Sequence, residues 1–203
     1  MFLREINGQG PIVTRFARHT ILSETATFDE KTGDLRVVIE TPKGSRNKYD
    51  YDPDCDCFDL ATVLPEGMFF PYDFGFVPST IGQDGDPLDV LVLMDAPGVP
   101  GCIVRAKLVG AIRAKQKAKK GKWIRNDRLL AVASHAHTHE KVRSLSDLRP
   151  HLVKEIKAFF VDYNSLRDRR FEPRSDCGPA KALKIVRAGR QTFLKSKKKT
   201  AGR

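Results

Sequence analysis

The sequence predicts an α+β domain, mainly β, in which several short strands form a small barrel and two helices pack outside it. Three observations lead there. Short apolar, β-branched segments bounded by Gly, Pro, Asn and Asp recur from Thr20 to Ala133. Apolar residues at helical spacing begin only from Ser146 onward. The chain has 203 residues, 40% of them hydrophobic, which suits one domain with a core of its own. Residues 1–194 are read as that domain, with 1–18 as an N-terminal arm and 195–203 as a frayed basic tail.

Taken in order, Thr20 to Asp29 is expected as a first strand, and Lys31 to Asp34 as a turn into the β-branched strand Leu35 to Thr41. Pro42 to Ser45 ends that strand, and Lys48 to Tyr51 resumes an extended path. Phe58 to Val63 is a further strand. Gly67 to Phe76, aromatic and broken by Pro71, is expected to pack irregularly near the core. Val90 to Met94 is a continuous apolar run, the pattern of a buried strand. Cys102 to Ile112 and Leu129 to Ala133 complete the strands. Leu152, Ile156, Phe159, Phe160 and Tyr163 fall on one helical face, and Ser146-Asp147-Leu148 is the expected helix opening. A second helix, Ala180 to Phe193, follows Pro179, a residue tolerated in the first turn.

Charge divides the chain. Residues 1–100 hold 8 Lys and Arg against 17 Asp and Glu, and residues 101–203 hold 28 against 8. A fold that wraps both halves around one cleft opposes carboxylates to cations, which suits a metal-bound polyanion; a basic half equally suits a nucleic-acid surface. No apolar run approaches the roughly 20 residues of a membrane helix. The N-terminus lacks a secretory pattern. The four cysteines include Cys55 and Cys57, too close for an ordinary bridge, and are read as reduced thiols of a cytoplasmic protein.

The strongest local signal is Asp84-Gly-Asp-Pro-Leu-Asp89, at the mouth of the predicted buried strand. Gly85 permits a tight turn and Pro87 fixes the bend. Three carboxylates packed this closely repel one another, and a Mg²⁺ ion relieves that repulsion because it prefers carboxylate oxygens and water. A carboxylate not used as a ligand is free to take a proton from an attacking water. On the residues alone, a solvated acidic turn explains the motif equally well.

These residues resemble the signature of the soluble inorganic pyrophosphatases, and the resemblance extends from Leu35 to Phe193. Val38-Ile-Glu40-Thr-Pro is similar to the family strand with an acidic site residue, and Lys48-Tyr49 to its phosphate-binding segment. Leu64 to Phe76 resembles the aromatic stretch before the signature, Arg128 to Val132 the later strand with a basic ligand, and Phe159, Phe160 and Tyr163 the helix that brings a Tyr to the site. The resemblance implies a five-stranded OB-like β-barrel with two C-terminal helices, Mg²⁺-dependent hydrolysis of pyrophosphate, and a homo-oligomer. It implies Asp84, Asp89, Glu40 and, by a one-residue adjustment, Asp127 as metal ligands. Asp86 would handle the proton, and Lys48, Arg128 and Tyr163 would hold phosphate oxygens. The chain departs from the family pattern at Thr62, Phe70, Phe74 and Asn164, and at Gln116 and Asn126, which replace metal-binding Asp residues.

Other features carry rival readings. Lys115 to Arg125 is expected as a solvated hairpin tip with Trp123 at its base; a role in recruiting a longer polyanion, and with it cleavage of another phosphoanhydride such as a short polyphosphate or a nucleotide, is the alternative. A non-catalytic barrel binding nucleic acid is a further alternative, not favoured. His135, His137 and His139 alternate and would share one face of an extended segment; a polar surface run is preferred to a regulatory metal site.

Overall fold

The computed structural model describes residues 21–201. Its strands are β1 (Leu35–Thr41), β2 (Asn47–Asp52), β3 (Cys57–Val63), β4 (Asp73–Val77), β5 (Leu88–Leu93), β6 (Ile103–Ala118), β7 (Ile124–Arg125) and β8 (Arg128–Ala133). Helix α1 (Leu152–Ser165), strand β9 (Arg169–Cys177) and helix α2 (Pro179–Ala201) follow. In order β1-β4-β5-β8-β6, and back from β6 to β1, five strands close into the barrel that the sequence led us to expect. The β5–β8 pair is parallel and the other ring contacts are antiparallel. The β2–β3 hairpin is a separate two-stranded sheet.

The core follows from composition. β1, β5 and β8 supply Val37, Ile39, Val90 to Leu93 and Leu129 to Ala131, all of them buried. On α1, Leu152, Ile156, Phe160 and Tyr163 are buried at helical spacing, and the helix closes an aromatic layer with Phe70, Phe74 and Phe171. These pairs lie 5.2–6.0 Å apart in tilted or edge-on arrangements, the geometry that ring quadrupoles favour.

Several expectations are corrected. Residues 21–29 form no strand; a 3₁₀ turn at Leu22–Glu24 and a single bridge from Phe28 to Leu35 stand there instead. Backbone groups of that segment bond elsewhere: the Ser79 N–H donates to Ser23 O at 2.7 Å and the Ser79 hydroxyl to Thr25 O at 2.9 Å. The expected arm 1–18 lies outside the described residues. The irregular aromatic stretch contains β4, buried throughout, where Gly75 lets the Val38 carbonyl pass closely. β9 is an addition, paired to the outer half of β6. The basic tail is helical as far as Ala201, because its lysines extend the solvated face of α2. Cys55 and Cys57 are joined as a disulfide: Asp56 between them takes a left-handed φ of 52°, bringing their Cα atoms to 5.4 Å.

Candidate active site

The turn from Thr80 to Leu88 is built by its own hydrogen bonds. The Gly82 N–H donates to Asp86 O at 2.7 Å, the Leu88 N–H donates to the Thr80 hydroxyl at 3.0 Å, and Gly85 takes φ 97°. From the far side α2 braces it: the Ile81 N–H donates to Gly189 O at 3.1 Å. Asp84 and Asp86 are thereby presented outward, and Asp89 sits on β5 itself. A cleft of about 700 Å³ opens beside this turn. It is lined by Glu40 from β1, Lys48 and Asp50 from β2, Asp84, Asp86 and Asp89, Arg128 from β8 and Tyr163 from α1. Seven of the eight residues singled out in the sequence therefore meet in one place.

The cleft crowds anions. Burial pushes the Glu40 carboxyl up to about 7, against the pull of Lys48 at 3.5 Å and of the Tyr51 N–H, which donates to it at 3.0 Å. Burial also raises Asp84, and Asp89 and Asp86 beside it add to the effect. Asp89 is raised by burial even though Arg128 and Lys48 pull it down. For Lys48, burial disfavours the ammonium, but Glu40 and Asp50 beside it outweigh that and raise its affinity for the proton. A hard divalent cation fits this donor set, because its charge would compensate carboxylates that burial, and to a lesser degree mutual repulsion, holds above their ordinary range. Among the described residues no three His, Cys, Asp or Glu side chains already stand as a ligand group. Water would complete the shell, as Mg²⁺ usually requires.

Arg128 is the pivot of the cleft. The parallel register sets Val90 opposite Leu129, so Asp89 and Arg128 enter the barrel side by side and form an ion pair. The same guanidinium donates to Asn126 Oδ1 and, at 3.4 Å, to Gln116 Oε1. It lies 4.8 Å from the Phe160 ring centroid and 5.3 Å from that of Phe171. Gln116 and Asn126 also bond to each other at 3.4 Å. The two amides thus hold an arginine in place.

Asp127, expected to adjust into a metal site, is turned away from this cleft. Its Oδ1 accepts the Ala114 N–H at 3.1 Å, and its Oδ2 pairs with Arg125 at 2.5 Å. It faces a smaller cavity of about 350 Å³, shared with Gly82, Pro87 and Gly189. Adjacent extended residues point to opposite sides, so Asn126 takes the inward place. The departures at Phe70 and Phe74 line the cleft as apolar wall, and Asn164 donates to the Phe160 carbonyl at 2.8 Å.

Sequence reasoning missed three charged cleft residues. Asp50, two positions after Lys48, was findable by strand alternation. Arg167 lies one helical turn beyond Tyr163, donates to its hydroxyl and covers its ring at 5.3 Å. Arg169 begins β9, a strand the pattern did not announce. The other motifs stay at the surface. His135 to His139 lie in turns after β8 ends, with the His137 and Thr138 N–H groups donating to Asp95. The basic loop is an exposed hairpin tip, where the Lys117 ammonium lies 5.0 Å from the Trp123 ring centroid.

The chain matches the family model described as inorganic pyrophosphatase over residues 37–194. A protein of Synechocystis named inorganic pyrophosphatase is 39% identical over 139 residues, which are 68% of this chain and 79% of that one. One of Geobacillus stearothermophilus with the same name is 35% identical over 152 residues, 75% of this chain and 89% of that one. The crystal structure of inorganic pyrophosphatase from Thermus thermophilus superposes with a TM-score of 0.78 at 32% identity, covering 86% of this chain and 99% of that one.

Proposed function

Because the chain belongs to the inorganic pyrophosphatase family, we propose that it hydrolyses pyrophosphate to two phosphates with the help of divalent metal ions, Mg²⁺ foremost. The observation that carries this reading is the meeting of Glu40, Asp84, Asp86 and Asp89 with Lys48, Arg128 and Tyr163 in one cleft. Asp84, Asp89 and Glu40 are the proposed ligand carboxylates. When bound, the cation supplies charge that acidifies an attacking water and screens phosphate oxygens.

The remaining steps belong to the chain's own groups. Asp86, exposed at the cleft wall, accepts the proton from the attacking water on a carboxylate oxygen. Arg128 offers two N–H groups to phosphate oxygens, a fork that lysine lacks. The Lys48 ammonium and the Tyr163 hydroxyl donate to the departing phosphate, and the Phe70 and Phe74 walls exclude water from that side. Positioning and charge stabilisation account for most of phosphoryl transfer, so this fixed array suits the reaction.

Self-association into a homo-oligomer is proposed on the exposed apolar side chains Leu60 and Val63 of β3. The test of the activity is phosphate release from pyrophosphate, with Mg²⁺ and with chelator, beside Asp86→Asn. Mg²⁺-dependent release that falls roughly 10²–10⁴-fold in the variant supports the reading. A folded protein with no release above background overturns it. A panel in which tripolyphosphate or a nucleoside triphosphate is the better substrate overturns the choice of pyrophosphate.

A further inference from the structure

The Gln116–Asn126 end of the cleft is lined by neutral amides and cations. Arg128 is held there by both amides. In the β6–β9 register, Gln116 faces Phe171 and Ala118 faces Arg169. Residues two apart on a strand share a face, so Arg169 lies on the side of the sheet that carries Gln116 and Phe171. That is the side on which Phe171 meets the Arg128 guanidinium, 5.3 Å away. Arg167 reaches the same cleft from the end of α1, fixed by its bond to the Tyr163 hydroxyl. Among the described residues, neither Arg167 nor Arg169 is paired with a carboxylate. Three guanidiniums therefore line a wall whose neutral amides cannot anchor a divalent cation as carboxylates do.

We infer that Arg128, Arg167 and Arg169 form a guanidinium site that holds one phosphate of the substrate without a metal ion. Guanidinium forks match phosphate oxygens in geometry and remain charged at every accessible pH. The substrate end opposite the acidic turn would then bind by fixed charge, and metal would be needed only on the Asp84–Asp89 side. The inference rests on the pyrophosphate reading for the identity of the ligand, and its test is a binding measurement independent of turnover.

The full chain, stripped of metal on a chelating resin, is titrated with methylenediphosphonate, a non-hydrolysable analogue of pyrophosphate, in a calorimeter. Binding is expected without metal, weakened about tenfold or more by Arg167→Gln/Arg169→Gln. Arg170→Gln is the control, since alternation turns Arg170 to the opposite face of β9. Its binding should stay within about twofold of the parent, well under the tenfold that corresponds to about 1.4 kcal/mol. Thermal unfolding checks that each variant is folded. No metal-free binding by the parent, or an equal loss in Arg170→Gln, overturns the inference. Metal-free binding without pyrophosphate turnover would leave this site standing and defeat the activity, whereas turnover without metal-free binding does the reverse.

Discussion

Replacing Arg128 by Met should show how much the barrel depends on the charge at its mouth. The Arg128 side chain is 5% exposed and that of Asp89 23%, so the pair is largely withdrawn from water. Methionine approximates the stem and keeps contact with Phe74, Phe160 and Phe171, but leaves Asp89 without its cation. Breaking a buried pair from one side costs about 3–5 kcal/mol. Partial exposure of Asp89 lowers this to about 3 kcal/mol at pH 8. The pH dependence has a definite sign. Asp89 already stands above the ordinary carboxylate range, and losing Arg128 pushes it higher. A carboxyl raised in the folded state contributes stability below its unfolded pKa and loses it as pH rises through the folded value. The variant's deficit should therefore be smaller at pH 5 than at pH 8. Urea unfolding of metal-free protein at both pH values measures it. A deficit under about 1 kcal/mol at pH 8, or one that does not shrink on acidification, would mean that the pair is not desolvated. Arg128→Lys should recover much of the stability and little of the phosphate grip, because it keeps the charge and loses the fork.

Further outcomes follow from other residues. Glu40, raised to about 7, contributes stability below pH 4.5 that is lost as pH rises through 7, and Glu40→Gln keeps the neutral form throughout. Metal-free Glu40→Gln should gain about 1–2 kcal/mol on the parent between pH 5 and pH 8, part of the gain being offset by the partner that Lys48 loses; urea titrations showing no relative gain count against it. Gly75→Ala sets a Cβ 2.9 Å from the Val38 carbonyl carbon and overlapping its oxygen. It should cost about 3 kcal/mol or more in the same assay, and an unchanged unfolding midpoint contradicts the close approach. Thiol titration of the denatured, unreduced chain should find two thiols, those of Cys102 and Cys177. Four thiols would remove the Cys55–Cys57 bridge.

The sequence made visible whatever depends on local pattern. β1, β5 and β8 could be read because strands buried on both faces are continuous apolar runs. The apolar face of α1 repeated at helical spacing over several turns. β4 escaped because its Gly75 and the preceding Pro71 read as breakers, when the glycine is there to let a neighbouring carbonyl pass. β9 escaped because an edge strand mostly of Arg, Glu, Pro, Ser and Asp, with only Phe171 and Cys177 buried, shows no alternation, and only the length of β6 makes room for it. In the site, residues inside contiguous motifs were found. Asp127 and Asn126 were harder, since which of two adjacent residues faces inward depends on how the chain enters β8. Arg167 and Arg169 belong to no motif and reach the cleft only through tertiary placement.

The parallel contact between β5 and β8 bears on the order in which the molecule is made. Asp89 and Arg128 are neighbours across it, yet 39 positions apart in the chain. On the ribosome the acidic turn emerges well before its counter-ion, and the first hundred residues carry a strong excess of carboxylates. A nascent chain of that length repels itself at the place where the barrel has to close. β6 and its basic hairpin then deliver most of the neutralising charge, and β8 follows with Arg128 as the strand that links β5 to β6. Discharge of the acidic half therefore precedes closure of the ring, so fragments ending at residue 100 should stay expanded at low ionic strength and contract as salt is added, whereas fragments ending at residue 127 should respond little.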